Sequence, residues 1–127
     1  MNNTKSEVIQ YISDTYGVSP EFLWENSLDC AAIRHTDSKK WFGVLMNNIS
    51  KSKLGLDSTE PVDIIDLKCD PLMIGSVIDG IGFLPGYHMN KEHWITVLLD
   101  GTVPAEKIFP LIDLSFELTK KVKKNRK

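Results

Sequence analysis

Ala31-Ala32-Ile33-Arg34-His35-Thr36-Asp37-Ser38-Lys39-Lys40-Trp41-Phe42-Gly43-Val44-Leu45-Met46-Asn47-Asn48-Ile49-Ser50 is the stretch on which the fold turns. Two apolar segments, 31–36 and 41–50, flank the turn formers Asp37-Ser38-Lys39-Lys40, which is the pattern of a β-hairpin. Strict alternation sets Trp41, Leu45 and Ile49 on one face of the second strand and Phe42, Val44 and Met46 on the other. A strand apolar on both faces belongs in the centre of a sheet or under helices.

Upstream, Thr4 followed by Glu7 forms a capping-box pattern, and Val8, Ile9, Ile12 and Tyr16 recur at helical spacing, so a helix is predicted over 5–16 with Gly17 as its stop. Ser19-Pro20 repeats the start signal, predicting a short helical turn from Pro20 to about Glu25 that docks Phe22, Leu23 and Trp24 on the core. Downstream, residues 51–61 read as a connection and 62–69 as a strand. Asp70 then caps a helix with Pro71 at its first position; it runs to about Asp79 with Met73, Ile74, Val77 and Ile78 as packing residues. A further strand is predicted over 93–99. Pro104 and Pro110 both mark helix starts, which predicts a turn at 104–107 and a helix from about Phe109 to Lys123, with Leu111, Ile112, Ser115, Leu118 and Val122 as its buried stripe. This order favours an α+β fold: an antiparallel β-sheet with helices packed on one face.

Composition narrows the class. The chain has 127 residues, 42% hydrophobic and 25% charged, close to an average globular domain, so one domain over 1–118 followed by a basic segment over 119–127 is expected. Residues 1–118 hold 9 Lys plus Arg against 17 Asp plus Glu, net minus 8, while 119–127 carry six cations. That cluster either complements a helix C-terminus or attracts phosphates. The N-terminus lacks an apolar signal segment and the apolar runs are too short to span a bilayer, so no membrane partner is expected and cytosol is the expected compartment. Cys30 and Cys69 lie outside any metal or redox spacing and read as reduced, packed thiols.

Residues 82–94, Gly-Phe-Leu-Pro-Gly-Tyr-His-Met-Asn-Lys-Glu-His-Trp, gather the chemistry. Tyr87 and Trp94 can stack; Lys68, His88, Asn90, Lys91 and His93 can donate hydrogen bonds or carry charge. No nucleophile has an identifiable base, and the His88–His93 spacing nominates no zinc site, so catalytic residues, metal and cofactors are all expected to be absent.

The segments Lys40-Trp41-Phe42, Lys53-Leu54-Gly55-Leu56, Asp66-Leu67-Lys68-Cys69-Asp70-Pro71, Gly86-Tyr87-His88-Met89-Asn90-Lys91-Glu92-His93-Trp94-Ile95-Thr96-Val97 and Leu114-Ser115-Phe116-Glu117-Leu118 together resemble the MmcQ/YjbR family through nearly the whole chain. The resemblance implies a CyaY-like, frataxin-type two-layer sandwich, a double-wing mode of DNA binding and no established enzymatic activity. Phe116 departs from the family, which usually carries Tyr there; the ring is kept and the hydroxyl lost.

Three functions are then in view. DNA is the leading expected partner, with Lys68, His88, Asn90 and Lys91 on phosphates or bases and Tyr87 and Trp94 stacking; the acidic body opposes it, and Trp94 packed against a helix is the competing structural role. A small molecule or peptide bound without catalysis, near His88, His93 and the lysines, is the alternative. Frataxin-like metal handling ranks last, since Glu7 and Asp14 are the only acidic residues of the first helix. Oligomeric state is left open.

Overall fold

A computed structural model describes residues 4–24 and 27–120, with side chains outside 23–29. Helix α1 (Thr4–Tyr16) leads into strands β1 (Glu21–Trp24), β2 (Ser27–Arg34) and β3 (Trp41–Ser50), a short 3-10 helix (Lys51–Leu54) and β4 (Pro61–Lys68). Helix α2 (Pro71–Val77), β5 (Phe83–Pro85), β6 (Trp94–Leu98) and α3 (Ala105–Thr119) follow. The six strands form one open antiparallel sheet in the order β1-β2-β3-β4-β6-β5.

The sheet has two unlike sides. On one, Ala31, Ile33, Phe42, Leu45, Ile65, Leu67, Ile95 and Val97 pack against Val8 and Ile12 of α1 and Ile108 and Ile112 of α3. On the other, Val44, Met46, Val62, Ile64, Leu84 and Leu98 form a smaller cluster covered by Leu54, Leu56, Tyr87 and Met89, that is, by loops. The expected α+β class with helices on one face holds. Burial of both sides of the sheet agrees with the reading of β3 as apolar on both faces.

Three local expectations are corrected. Within the helical turn predicted from Pro20 to about Glu25, Glu21–Trp24 instead form strand β1, and Glu25 lies outside the described residues: the β1 backbone pairs with β2, Glu21 opposite Ala32 and Phe22 opposite Ala31, and Phe22 is exposed rather than docked. Pairing with a neighbouring strand outweighs a local Ser-Pro start signal. The predicted turn at 104–107 and helix from Phe109 to Lys123 are replaced by one helix, α3, with Pro110 inside it. Pro110 deprives only the Glu106 carbonyl of its donor, and both residues are exposed. Leu118 is exposed rather than part of the buried stripe, and residues 121–127, including Val122 and most of the basic segment, lie outside the described residues.

Phe42 also changes sides. The β2–β3 register shifts between Ile33 and Arg34, which stand opposite Gly43 and Trp41, so Phe42 is a bulge residue. Its ring joins Leu45 on the helix side, away from Val44 and Met46. Ser115 of α3 holds the bulge: its hydroxyl donates to the Phe42 carbonyl (2.6 Å) and accepts the Lys68 N–H (2.9 Å).

Candidate functional site

The site lies on the loop-covered side and is built by β4, β6 and the 86–93 loop. Lys68 and Trp94 face each other across β4 and β6, with the Lys68 Nζ 5.7 Å from the indole centroid. This is a cation–π distance, and it sets Trp94 on the side away from the helices. The loop begins with a tight turn in which the Met89 N–H reaches the Gly86 carbonyl at 3.5 Å. Gly86 is required there because a Cβ would come within 2.9 Å of both the Trp94 Cβ and the Trp94 carbonyl oxygen. His88 takes a left-handed backbone (φ 62°), unusual for a residue with a side chain, and its ring lies 4.0 Å from that of Tyr87.

Asn90 serves the loop itself. Its side-chain oxygen accepts the Glu92 N–H (2.8 Å), and its carbonyl accepts N–H bonds from His93 and Trp94. His93, half-buried, precedes β6 in the alternation phase of Ile95 and Val97 and clamps the Cys69 N–H with its carbonyl (2.8 Å). Of the seven residues singled out in the sequence, Lys68 meets Trp94, Tyr87 meets His88, and Lys91 shares a groove with Tyr87; Asn90 builds the turn, and His93 belongs to the opposite phase of the strand.

That groove, about 220 Å³, is lined by Lys53, Leu54, Pro85, Tyr87 and Lys91. Among the described residues, Lys5, Arg34, Lys51 and Lys120 form ion pairs with carboxylates, whereas Lys39, Lys40, Lys53, Lys68, Lys91 and Lys107 form none; of these, Lys53, Lys68 and Lys91 share the loop side. Lys53 was not singled out in the sequence. It arrives from a different segment, and only the turn after β3 brings it beside the loop.

Beneath the loop sits Asp66, fully buried on β4 between Val44 and Thr96. The Thr96 hydroxyl donates to Asp66 Oδ1 and accepts the Tyr87 N–H (2.8 Å), while Asp66 Oδ2 is buried without a partner among the described residues. Burial pushes the Asp66 carboxyl up to about 7, against the opposing pull of the Thr96 and Tyr87 bonds and the Lys91 charge. The available sequence signal was an acidic residue between Ile65 and Leu67 in a strand that also carries Asp63, so it did not single out Asp66.

A second cavity of about 190 Å³ opens at the far end of the helix side, lined by Tyr16, Val18, His35, Thr36, Asp37, Phe116 and Lys120. Of its lining groups, Tyr16, His35, Asp37 and Lys120 have partners within the protein. The Thr119 hydroxyl donates to the Ser115 carbonyl (2.7 Å) and so accepts from His35 Nε2 (2.8 Å). Tyr11 and Tyr16 both donate to Asp113. Phe116 stacks on Tyr16 (4.0 Å) and lies against His35 (4.3 Å), so here the ring serves packing. Among the described residues no helix is long and apolar enough to cross a membrane.

Comparison with known proteins agrees with this architecture. A solved protein of Pseudomonas syringae is 44% identical and superposes with a TM-score of 0.85 over 94% of this chain and 100% of its own. A more distant protein of Deinococcus radiodurans, 23% identical, shares the fold (TM-score 0.65; 90% of this chain, 76% of that one). Among curated sequences, "Uncharacterized protein YyaQ" of Bacillus subtilis (strain 168) is 44% identical over 117 residues, 92% of this chain and 98% of that protein. "Uncharacterized protein YjbR" of Escherichia coli (strain K12) is 48% identical over 33 residues, 26% of this chain and 28% of that protein. The YjbR family model matches residues 13–118, and the chain belongs to the YjbR family.

Proposed function

We propose that the loop-covered side of the sheet binds DNA, mainly through its phosphate backbone. The observation that supports this reading is the set of three lysines, Lys53, Lys68 and Lys91, that have no carboxylate partner among the described residues and stand beside the rings of Tyr87, His88 and Trp94. Ammonium groups without counter-charges displace condensed counterions from a polyanion, and adjacent rings give unstacked bases a surface. Asn90 contributes the loop's shape, with its side-chain oxygen engaged by the Glu92 N–H. Arg34 is the only arginine before the basic segment and is engaged by Glu21, which argues for backbone contact over base reading.

The test is a titration of single-stranded and duplex DNA at low salt, repeated as salt rises. Affinity should fall steeply, and Lys53→Gln or Lys91→Gln should each reduce the slope of log K against log salt by roughly one or slightly less. No binding at low salt contradicts the proposal. The confined groove favours a second reading, a small anionic ligand held between Lys53 and Lys91. A metabolite that raises the melting temperature, with DNA inert, selects it.

A further inference from the structure

Resting on the phosphate-binding reading, we propose that Asp66 is the positioning residue of this face: through Thr96 it fixes the Tyr87–Lys91 loop, and it makes phosphate capture there proton-coupled. Asp66 occupies the middle of the row Val44–Asp66–Thr96–Leu84 across four strands. One carboxyl oxygen is tied through the Thr96 hydroxyl to the Tyr87 N–H, at the start of the loop that carries Lys91. The other oxygen is buried without a hydrogen-bond partner among the described residues, so the ionised carboxylate lacks a donor there.

The groups that face Asp66 define the coupling. From β2 comes Cys30, whose thiol is pushed up by burial and by the Asp66 charge; from β3, the apolar Val44; from β6, Thr96; from the loop, Tyr87 and the positive Lys91. Lys68 lies two residues along the same strand, and His88, Glu92 and His93 stand farther round the loop. Lys91 is the cation whose field reaches the carboxylate, so an ionised Asp66 and a bound phosphate compete for it. Protonating Asp66 removes the competitor. Phosphate binding therefore favours protonation of Asp66, and by reciprocity a lower pH strengthens binding.

A single-stranded DNA oligonucleotide with internal phosphodiesters only is a suitable probe, because those groups do not titrate near neutrality. Its affinity is measured at fixed ionic strength from pH 5.5 to 8.5 for wild type, Asp66→Asn and the double variant His88→Gln/His93→Gln. Wild type should weaken by up to about tenfold per pH unit above 7, Asp66→Asn should bind with little pH dependence there, and the double histidine variant should keep the wild-type slope. An Asp66→Asn slope equal to wild type, or a flat double histidine variant, overturns the inference. Absence of binding at every pH overturns the phosphate reading, and NMR of the free protein then still decides the positioning role. The Asp66 carboxyl carbon and the Tyr87 amide should titrate together with a midpoint near 7; a midpoint below 5, or an indifferent Tyr87 amide, overturns it.

Discussion

The two sides of the sheet handle their polar groups in opposite ways. On the helix side, Asp113 accepts from two tyrosines, His35 is matched to Thr119, and Ser115 satisfies one carbonyl and one N–H. On the loop side, Asp66 keeps an unmatched oxygen, His88 holds a left-handed backbone, and Lys53 and Lys91 line a groove without carboxylate partners among the described residues. One side has settled its polar groups for stability. The other leaves them unsettled, and unmet hydrogen bonds and backbone strain are features that a binding site retains.

The sharpest break of this contrast is Asp66→Asn. The folded carboxyl lies near 7 against 3.8 for an ordinary carboxyl, so its contribution to stability is full below about 4 and is lost as pH rises through 7. The difference corresponds to as much as about 4 kcal/mol at alkaline pH. Denaturation in urea at pH 8 should therefore find Asp66→Asn more stable than wild type; an equal or lower midpoint contradicts the account. On the helix side the sign reverses. Ser115→Ala leaves the Phe42 carbonyl and the Lys68 N–H unsatisfied and should cost about 3 kcal/mol in the same assay.

Asp113→Asn sharpens the comparison further. It weakens the bonds from Tyr11 and Tyr16 and should cost about 1 to 2 kcal/mol, opposite in sign to the same exchange at Asp66. The pH dependence of melting separates the two sides as well. Burial lowers the His35 pKa, so its stabilising neutral form is penalised as pH falls below 6.5, whereas Asp66 acts in the opposite direction between about 4 and 7. Wild type should show partial cancellation, and Asp66→Asn should expose the histidine slope. Least in size, His88→Gly should relieve the left-handed strain and change stability by about 0.5 kcal/mol, yet weaken DNA binding by removing the ring beside Tyr87.

Much of this architecture was legible in the sequence because its causes are local. The Gly17 stop of α1, the 31–50 hairpin, the Asp70-Pro71 start and the alternation of β6 each act within a few residues. Misreadings arose where distant partners decide: Pro20 precedes a strand because β2 is there to pair with it, and Phe42 changes sides because a bulge interrupts the period. Pro110 is tolerated inside α3 because the bond it removes lies at the surface. The site was legible only in part for the same reason. The Tyr87–Trp94 segment announces itself by composition, whereas Lys53, Asp66 and Thr96 become neighbours of the loop only through strand order and a turn. Asn90 looked like a recognition residue because its role in capping the loop is invisible without the backbone.

The most direct test is chemical-shift mapping of the isotope-labelled protein titrated with single-stranded DNA at low salt. If the loop side binds DNA, the amides of Lys53, Lys68, Tyr87, His88, Lys91 and Trp94 move together while those of Tyr11, Tyr16, His35 and Phe116 stay still. Shifts confined to the helix side, or none on either side, contradict the account.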